Sequence, residues 1–342
     1  MNKKLKKIIT TTFLATMCIV MIGCNSKSNS NSATTSLNKE AVAGYPVEIT
    51  TYNYSGDEVK TTYEKAPEKV LAVYQGSIET MLELGLEDRL VAAAGLDNEL
   101  DDKYKKAFEN VEYLTEFTPS KETVTALNPD MILSWGSIFA EDKLGDVNTW
   151  IDKGCNTYIN TNTRRKEGEK RTIQNEMTDI LNLGKIFNVE DKAQEIVNNM
   201  QSKIDEALKA AKGQDKQNVL MLEFLGDEIT NYGENSLGGD MITSLGANLV
   251  AKDQSKLGKE DIVSLNPDVI YVVYMPYSGD DPEQVKQDAL DKLLKDKAFN
   301  SLDAVKNKRV VPIMLGDMYA SGVRTINGIE TISAGLYPDL NK

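Results

Sequence analysis

No histidine occurs anywhere in the 342 residues. That absence removes zinc hydrolase sites, serine–histidine–acid triads and histidine-ligated haem in one step, because each needs an imidazole. Cysteine is nearly as scarce, limited to Cys18, Cys24 and Cys155. Past Cys24 only Cys155 remains, so no intramolecular disulfide is available unless Cys24 stays unmodified. With no imidazole to activate it, Cys155 reads as a small buried apolar residue at the start of a strand. A phosphate-cradling glycine loop is also missing, since GENSLGGD at 233–240 fits neither the Walker nor the dinucleotide spacing. Basic residues are in deficit, 39 against 52 acidic for a net charge of −13, which argues against nucleic acid as a partner.

The chain holds one markedly apolar run, residues 8–22, behind Lys3, Lys4, Lys6 and Lys7. It is too short and too abruptly ended to span a membrane, and residues 1–23 read as an export signal. Their removal takes away four positive charges and no negative ones, so −13 becomes −17 in the mature chain. The run ends Met21-Ile22-Gly23-Cys24, which resembles the lipobox of bacterial lipoproteins and implies cleavage that leaves Cys24 as a lipidated first residue. Residues 25–38, NSKSNSNSATTSLN, lack aromatics and read as a flexible tether reaching about 20 Å from a membrane.

What is present is a repeat. The segment KETVTALNPDMI at 121–132 returns 138 residues later as KEDIVSLNPDVI at 259–270, with 7 of 12 positions identical. Each copy predicts a short helix closed by an Asn-Pro-Asp turn and followed by an apolar strand, because proline disfavours helical geometry in the residue before it. After a hairpin (strands 47–54 and 59–63), the first half predicts strand 70–74, helix 77–84, strand 89–94, helix 121–127, strand 131–135, a helix around 146–153 and strand 156–160. The second half repeats the plan: strand 219–224, helix 239–245, strand 248–251, helix 259–265, strand 269–274, helix 282–299, strand 309–313 and a last helix from about 323 to 336. Strands alternating with helices call for parallel sheets covered on both faces. Between the halves, residues 191–211 carry apolar side chains at three-and-four spacing, the only long uninterrupted amphipathic helix expected, about 30 Å in length. The 41% apolar composition is ample for two cores. The predicted fold class is therefore α/β, two similar lobes with mostly parallel sheets joined by a single long interlobe helix. The expected division is signal peptide 1–23, lipidated cysteine and tether 24–44, first lobe 45–188, interlobe helix 189–212 and second lobe 213–342.

With its order of segments PEKVLAVYQGSIETMLELGLEDRLVAAAG (67–95), the two helix-Asn-Pro-Asp-strand copies, NYGENSLGGDMITSLGANLV (231–250), the strut helix and GIETISAGLYPD (328–339), the chain resembles the substrate-binding lipoproteins of ABC importers. The resemblance covers about residues 47–340 and points to the class that captures ferric siderophores, haem or cobalamin. It implies a monomer anchored by lipid at the extracellular face of the cell membrane, an ABC permease dimer as partner, an iron chelate as ligand, no covalent cofactor and no enzymatic activity. In this family a surface glutamate on each lobe docks on permease arginines just upstream of the Pro-Asp turn. The matching residues are Glu122 and Glu260, each seven positions before its proline. The plainer account is a first-turn acid favoured by the helix dipole, worth about 0.3 to 1 kcal/mol.

In open α/β sheets ligands bind beyond the carboxyl ends of the strands. Those ends supply Tyr74, Gln75, Trp135, Asn162, Arg164 and Arg165 from the first lobe, and Tyr232, Asn235, Tyr274, Tyr277, Asp317, Met318, Tyr319 and Arg324 from the second. Rings cover apolar faces and guanidinium groups pair with carboxylate or catecholate oxygens, so the mixture suits a large flat or polyanionic chelate. Arg164 and Arg165 head the anion-binding candidates because they follow a strand end directly, with Arg171 behind them; the alternative is a solvated charged loop. For Trp135 the alternative is a core ring ending a buried strand. A tyrosine phenolate can ligate haem iron, and an aromatic cleft of little charge suits cobalamin, but a ferric siderophore is the leading cargo. A lipid-anchored two-lobed enzyme is the reading from another class.

Overall fold

The repeated Asn-Pro-Asp segment performs one structural task twice. Helix α3 (Lys121–Leu127) ends at Asn128 with φ 48° and helix α8 (Lys259–Leu265) ends at Asn266 with φ 38°, the left-handed turn that asparagine tolerates. The prolines that follow are buried. The Asp130 carboxylate then accepts the backbone N–H groups of Glu68 and Lys69 at 2.8 and 2.9 Å, and the Asp268 carboxylate accepts that of Asn218 at 2.7 Å. Each aspartate thereby ties its turn to the chain entering the first strand of its own lobe.

The computed structural model describes residues 43–340; the expectations for the leader at 1–23, for Cys24 and for nearly all of the tether lie outside the described residues. A hairpin of β1 (Val47–Tyr52) and β2 (Glu58–Tyr63) turns at Gly56 and leads into the first lobe. That lobe runs β3 (Val70–Val73), α1 (Gln75–Glu83), β4 (Leu90–Ala94), α2 (Asp102–Phe108), α3, β5 (Met131–Ser134), α4 (Val147–Ile151) and β6 (Asn156–Ile159). Two helices follow, α5 (Ile173–Phe187) and α6 (Glu190–Ala211). The second lobe runs β7 (Asn218–Leu225), β8 (Glu228–Asn231), α7 (Leu237–Ser244), β9 (Asn248–Leu249), α8, β10 (Val269–Tyr274), α9 (Pro282–Leu294), α10 (Asp303–Lys306), β11 (Val310–Met314) and α11 (Thr325–Leu336).

The first sheet is parallel in the order β4-β3-β5-β6, and the second places β9 and β10 on either side of β7, with β11 beyond β10, all parallel. Counted along the parallel strands of each lobe, which leaves out the antiparallel β8, both sheets run second, first, third, fourth, so the duplication extends to topology. Both sheets switch direction between their first and third strands, β3 with β5 and β7 with β10. That is where a ligand crevice forms in such folds.

The packing departs from the expected pair of separate cores. Alternate residues of β3 point to opposite faces: Leu71 and Val73 join a cluster private to the first lobe with Ile132 and Ile159, while Val70 and Ala72 join a cluster that continues through Ile180, Ile196 and Met200 to Met221, Tyr271 and Ile332 of the second lobe. A third cluster, with Leu220, Ile270 and Phe299, covers the outer face of the second sheet. One apolar core is thus shared by both lobes, because α6 packs against α5 on one side and α11 on the other.

Several boundaries also differ. Helix α5 makes the strut one of a pair; Glu176 and Asp179 are buried on its packed face and break the apolar pattern that would have revealed it. Helix α2 and the antiparallel strand β8 are additional, and the strand expected at 248–251 is two residues long because Ala251 takes φ 52°. The helix expected over 282–299 stops at Leu294, and a separate short turn covers Lys297–Phe299. Cys155 is buried, as read from the sequence.

Candidate functional site

The carboxyl ends of the switch-point strands carry a row of rings. Tyr74 follows β3 and Trp135 follows β5, and their ring centroids lie 5.1 Å apart. Phe117, from the loop before α3, meets Tyr74 at 5.8 Å, and Tyr319 of the second lobe meets Trp135 at 5.9 Å. The row ends on Arg171, whose guanidinium lies 3.8 Å from the Tyr319 ring centroid and donates to the phenol oxygen at 3.0 Å. Tyr74 has φ 73° and ψ 151°, a region that an L side chain enters only under constraint. Its ring is buried and its hydroxyl lies 3.2 Å from that of Thr118. Phe117, by contrast, is 51% exposed.

Beside the row lies a cavity of about 390 Å³ bounded by both lobes, with Asn162, Arg164 and Arg171 on one side and Tyr232, Asn235 and Tyr319 on the other. Tyr232 donates to Glu223 at 2.6 Å, and burial together with that carboxylate raises its pKa. A second cavity of about 440 Å³ includes Asn98, Pro276, Tyr277 and Met314. The larger one of about 1060 Å³, among Lys209, Lys216, Arg309 and Tyr337, opens near the start of β7 and β11, the opposite end from a ligand crevice in an α/β sheet.

The other residues singled out in the sequence are dispersed. Arg164 pairs with Glu169 and stacks on Tyr52 with 4.5 Å to the ring centroid, and Arg165 stacks on Tyr54 at 4.8 Å, so both guanidiniums lie against the leading hairpin. Arg324 is buried in an ion pair with Glu79. Tyr274 is half-buried at the end of β10, where burial raises its pKa, and Tyr277 is 61% exposed in the following loop. Gln75 donates to Glu79 at 2.7 Å, and Asn162 donates to Glu176 at the same distance. Met318 is buried, and the Asp317 carboxyl is pushed up to about 6 by burial. Glu122 and Glu260 are exposed in the first turns of α3 and α8.

Glu176 of α5 reaches across to the loop that presents Tyr319. Its carboxylate accepts the backbone N–H groups of Ser321 and Gly322 at 3.1 and 2.8 Å. Neither Glu176 nor Phe117 carries a local sequence signal, since one acts through a loop 145 positions away and the other sits in an irregular segment. Arg171 was among the sequence candidates but ranked behind Arg164 and Arg165, whose partners are set by the hairpin fold.

Comparison with known proteins agrees with this architecture. The sequence profile of the family described as periplasmic binding protein matches residues 70–313. YvrC, an ABC transporter substrate-binding lipoprotein of Bacillus subtilis, is 24% identical over 95% of each chain, and the petrobactin-binding protein YclQ of the same organism is 23% identical over 94% of each. A periplasmic binding protein from Veillonella parvula superposes with a TM-score of 0.78 at 28% identity, covering 86% of this chain and 92% of that one.

Proposed function

The chain belongs to the periplasmic binding protein family, and from that premise we propose that it is an extracellular, lipid-anchored receptor that captures a ferric siderophore-type chelate between its lobes and hands it to an ABC permease. The observation that carries the reading is the ring row Phe117–Tyr74–Trp135–Tyr319, closed by Arg171, with Tyr74 and Trp135 at the carboxyl ends of the switch-point strands β3 and β5. Rings from both lobes offer apolar area to a bulky chelate, and a guanidinium at one end pairs with an oxygen ligand. The similarity to YclQ, a petrobactin-binding protein, supports an iron chelate as cargo. In this reading residues 1–23 are removed, Cys24 bears the lipid, the first lobe (45–188) and second lobe (213–342) flank the strut, and the protein works as a monomer. Tyr232, Tyr274 and Tyr277 line the rim, while Arg164, Arg165 and Arg324 serve packing and lobe coupling.

Glu122 and Glu260 are the docking knobs for a permease dimer. Both are exposed at matching places on duplicated helices, so each lobe presents one carboxylate at an equivalent position. The reading is tested by titrating the mature chain with ferric chelates and following tryptophan emission. Trp150 is buried with its ring N–H on the Leu144 carbonyl at 3.1 Å, so Trp135→Phe abolishes the response. Cargo uptake by cells carrying Glu122→Ala and Glu260→Ala together falls sharply while affinity stays unchanged; unchanged uptake sinks the docking role.

A further inference from the structure

We propose that the cleft selects cargo of low charge, neutral or singly anionic, and discriminates against a trianionic chelate of the same metal. The inference rests on the solute-capture reading above and names the class of solute. Four cations border the 390 Å³ cavity, Arg164, Lys170, Arg171 and Lys252. Three of them already face carboxylates: Arg164 contacts Glu169, Lys170 lies 2.9 Å from Glu234, and Lys252 lies 3.9 Å from the same group. Asp253 borders the cavity as well, and Glu223 stands behind Tyr232. Arg171 alone among these cations has no carboxylate within 4 Å among the described residues, and it is held on an aromatic face instead.

A trianion entering the cleft would find one uncommitted guanidinium and several acids, with a mature chain of net charge −17 around it. Exposed pairs are weak individually, but their charges still cancel at the cavity, so freeing Arg164 or Lys170 for cargo leaves a carboxylate beside the new anion. The ring row needs no counter-charge. It buries apolar surface of a neutral complex as readily as of a charged one.

Calorimetric titration of the mature chain in detergent, at one ionic strength, compares a neutral ferric tris-hydroxamate, a trianionic ferric tris-catecholate and cyanocobalamin, a neutral corrinoid. The neutral tris-hydroxamate binds at least tenfold tighter than the trianion. Equal or tighter binding of the tris-catecholate overturns the inference and leaves solute capture standing. Cyanocobalamin bound with both iron complexes rejected overturns the inference and removes iron from the proposed function, whereas no binding by any of the three overturns both. Glu169→Gln with Glu234→Gln, which releases Arg164 and Lys170, raises tris-catecholate affinity at least fivefold relative to the tris-hydroxamate; no relative gain counts against the inference.

Discussion

Arg324 of the second lobe and Glu79 of the first form a buried ion pair, with 2.5 Å between Nε and Oε2 and a second contact of 2.9 Å from Nη2 to Oε1. Asn98 accepts from the guanidinium at 2.9 Å and Gln75 donates to the carboxylate at 2.7 Å, so each charge is further compensated. The two partners are 245 positions apart. Together with the shared apolar core, the pair couples the lobes, and lobe movement on binding is expected to be small. Small-angle scattering that shows marked compaction on adding cargo would contradict it.

Removing one member of such a pair leaves an uncompensated buried charge, which costs about 3 to 5 kcal/mol. Glu79→Leu and Arg324→Met singly should each lower the urea unfolding free energy by that order. The joint change Glu79→Leu, Arg324→Met should lower it much less, since both desolvated charges are then gone. Additive losses in the double variant would show that the pair is not the coupled unit.

Three buried carboxyls make stability depend on pH. Burial, with Asp179 adding to it, raises the Glu176 pKa to about 7, and burial raises those of Asp179 and Asp317 to about 6. The ordinary values are 4.5 for glutamate and 3.8 for aspartate, so from about pH 4 to 7 the folded chain holds protons that the unfolded chain has released. The contribution of these groups is therefore full below the ordinary values and falls as pH rises through that window. Glu176→Gln mimics the protonated form, and the variant should gain on the wild type between pH 5 and pH 8 in chemical denaturation. A difference that is constant or opposite in sign would refute the assignment.

Tyr74 inverts a usual rule. Alanine ordinarily outperforms glycine because glycine loses more chain entropy on folding. At φ 73° and ψ 151° only glycine is unstrained, and such strain is worth about 1 to 3 kcal/mol. Both Tyr74→Ala and Tyr74→Gly lose the ring, but the glycine variant should melt at the higher temperature.

The twin aspartates differ in load. Asp130 accepts two backbone N–H groups and Asp268 is seen to accept one. Leaving such groups unsatisfied costs about 1 to 3 kcal/mol. Asp130→Ala should therefore be the more destabilising in urea denaturation, and the reverse order would exclude this account of the turn.

Features that rest on near neighbours in the chain could be read from the sequence. Helices 121–127 and 259–265 and strand 269–274 occur with the expected bounds, because the Asn-Pro-Asp turn limits them locally. Helix α5 was harder, since Glu176 and Asp179 are polar yet buried, and their partners Ser321, Gly322 and Thr161 lie outside the helix. Tyr74 and Trp135 were legible as strand ends, but Phe117 was not, having no periodic pattern around it.

The sequence by itself determined the duplicated α/β plan, the acidic balance, the lack of imidazole chemistry and the two glutamates at matching helix starts, all of which depend on composition or on contacts a few residues apart. Only the tertiary structure decided what each candidate arginine faces. Arg164 is turned toward Tyr52 of the hairpin, Arg324 toward Glu79, and Arg171 toward Tyr319, 148 positions away. A guanidinium pairs with whichever carboxylate or ring the fold brings within reach, and spacing along the chain carries no record of that distance.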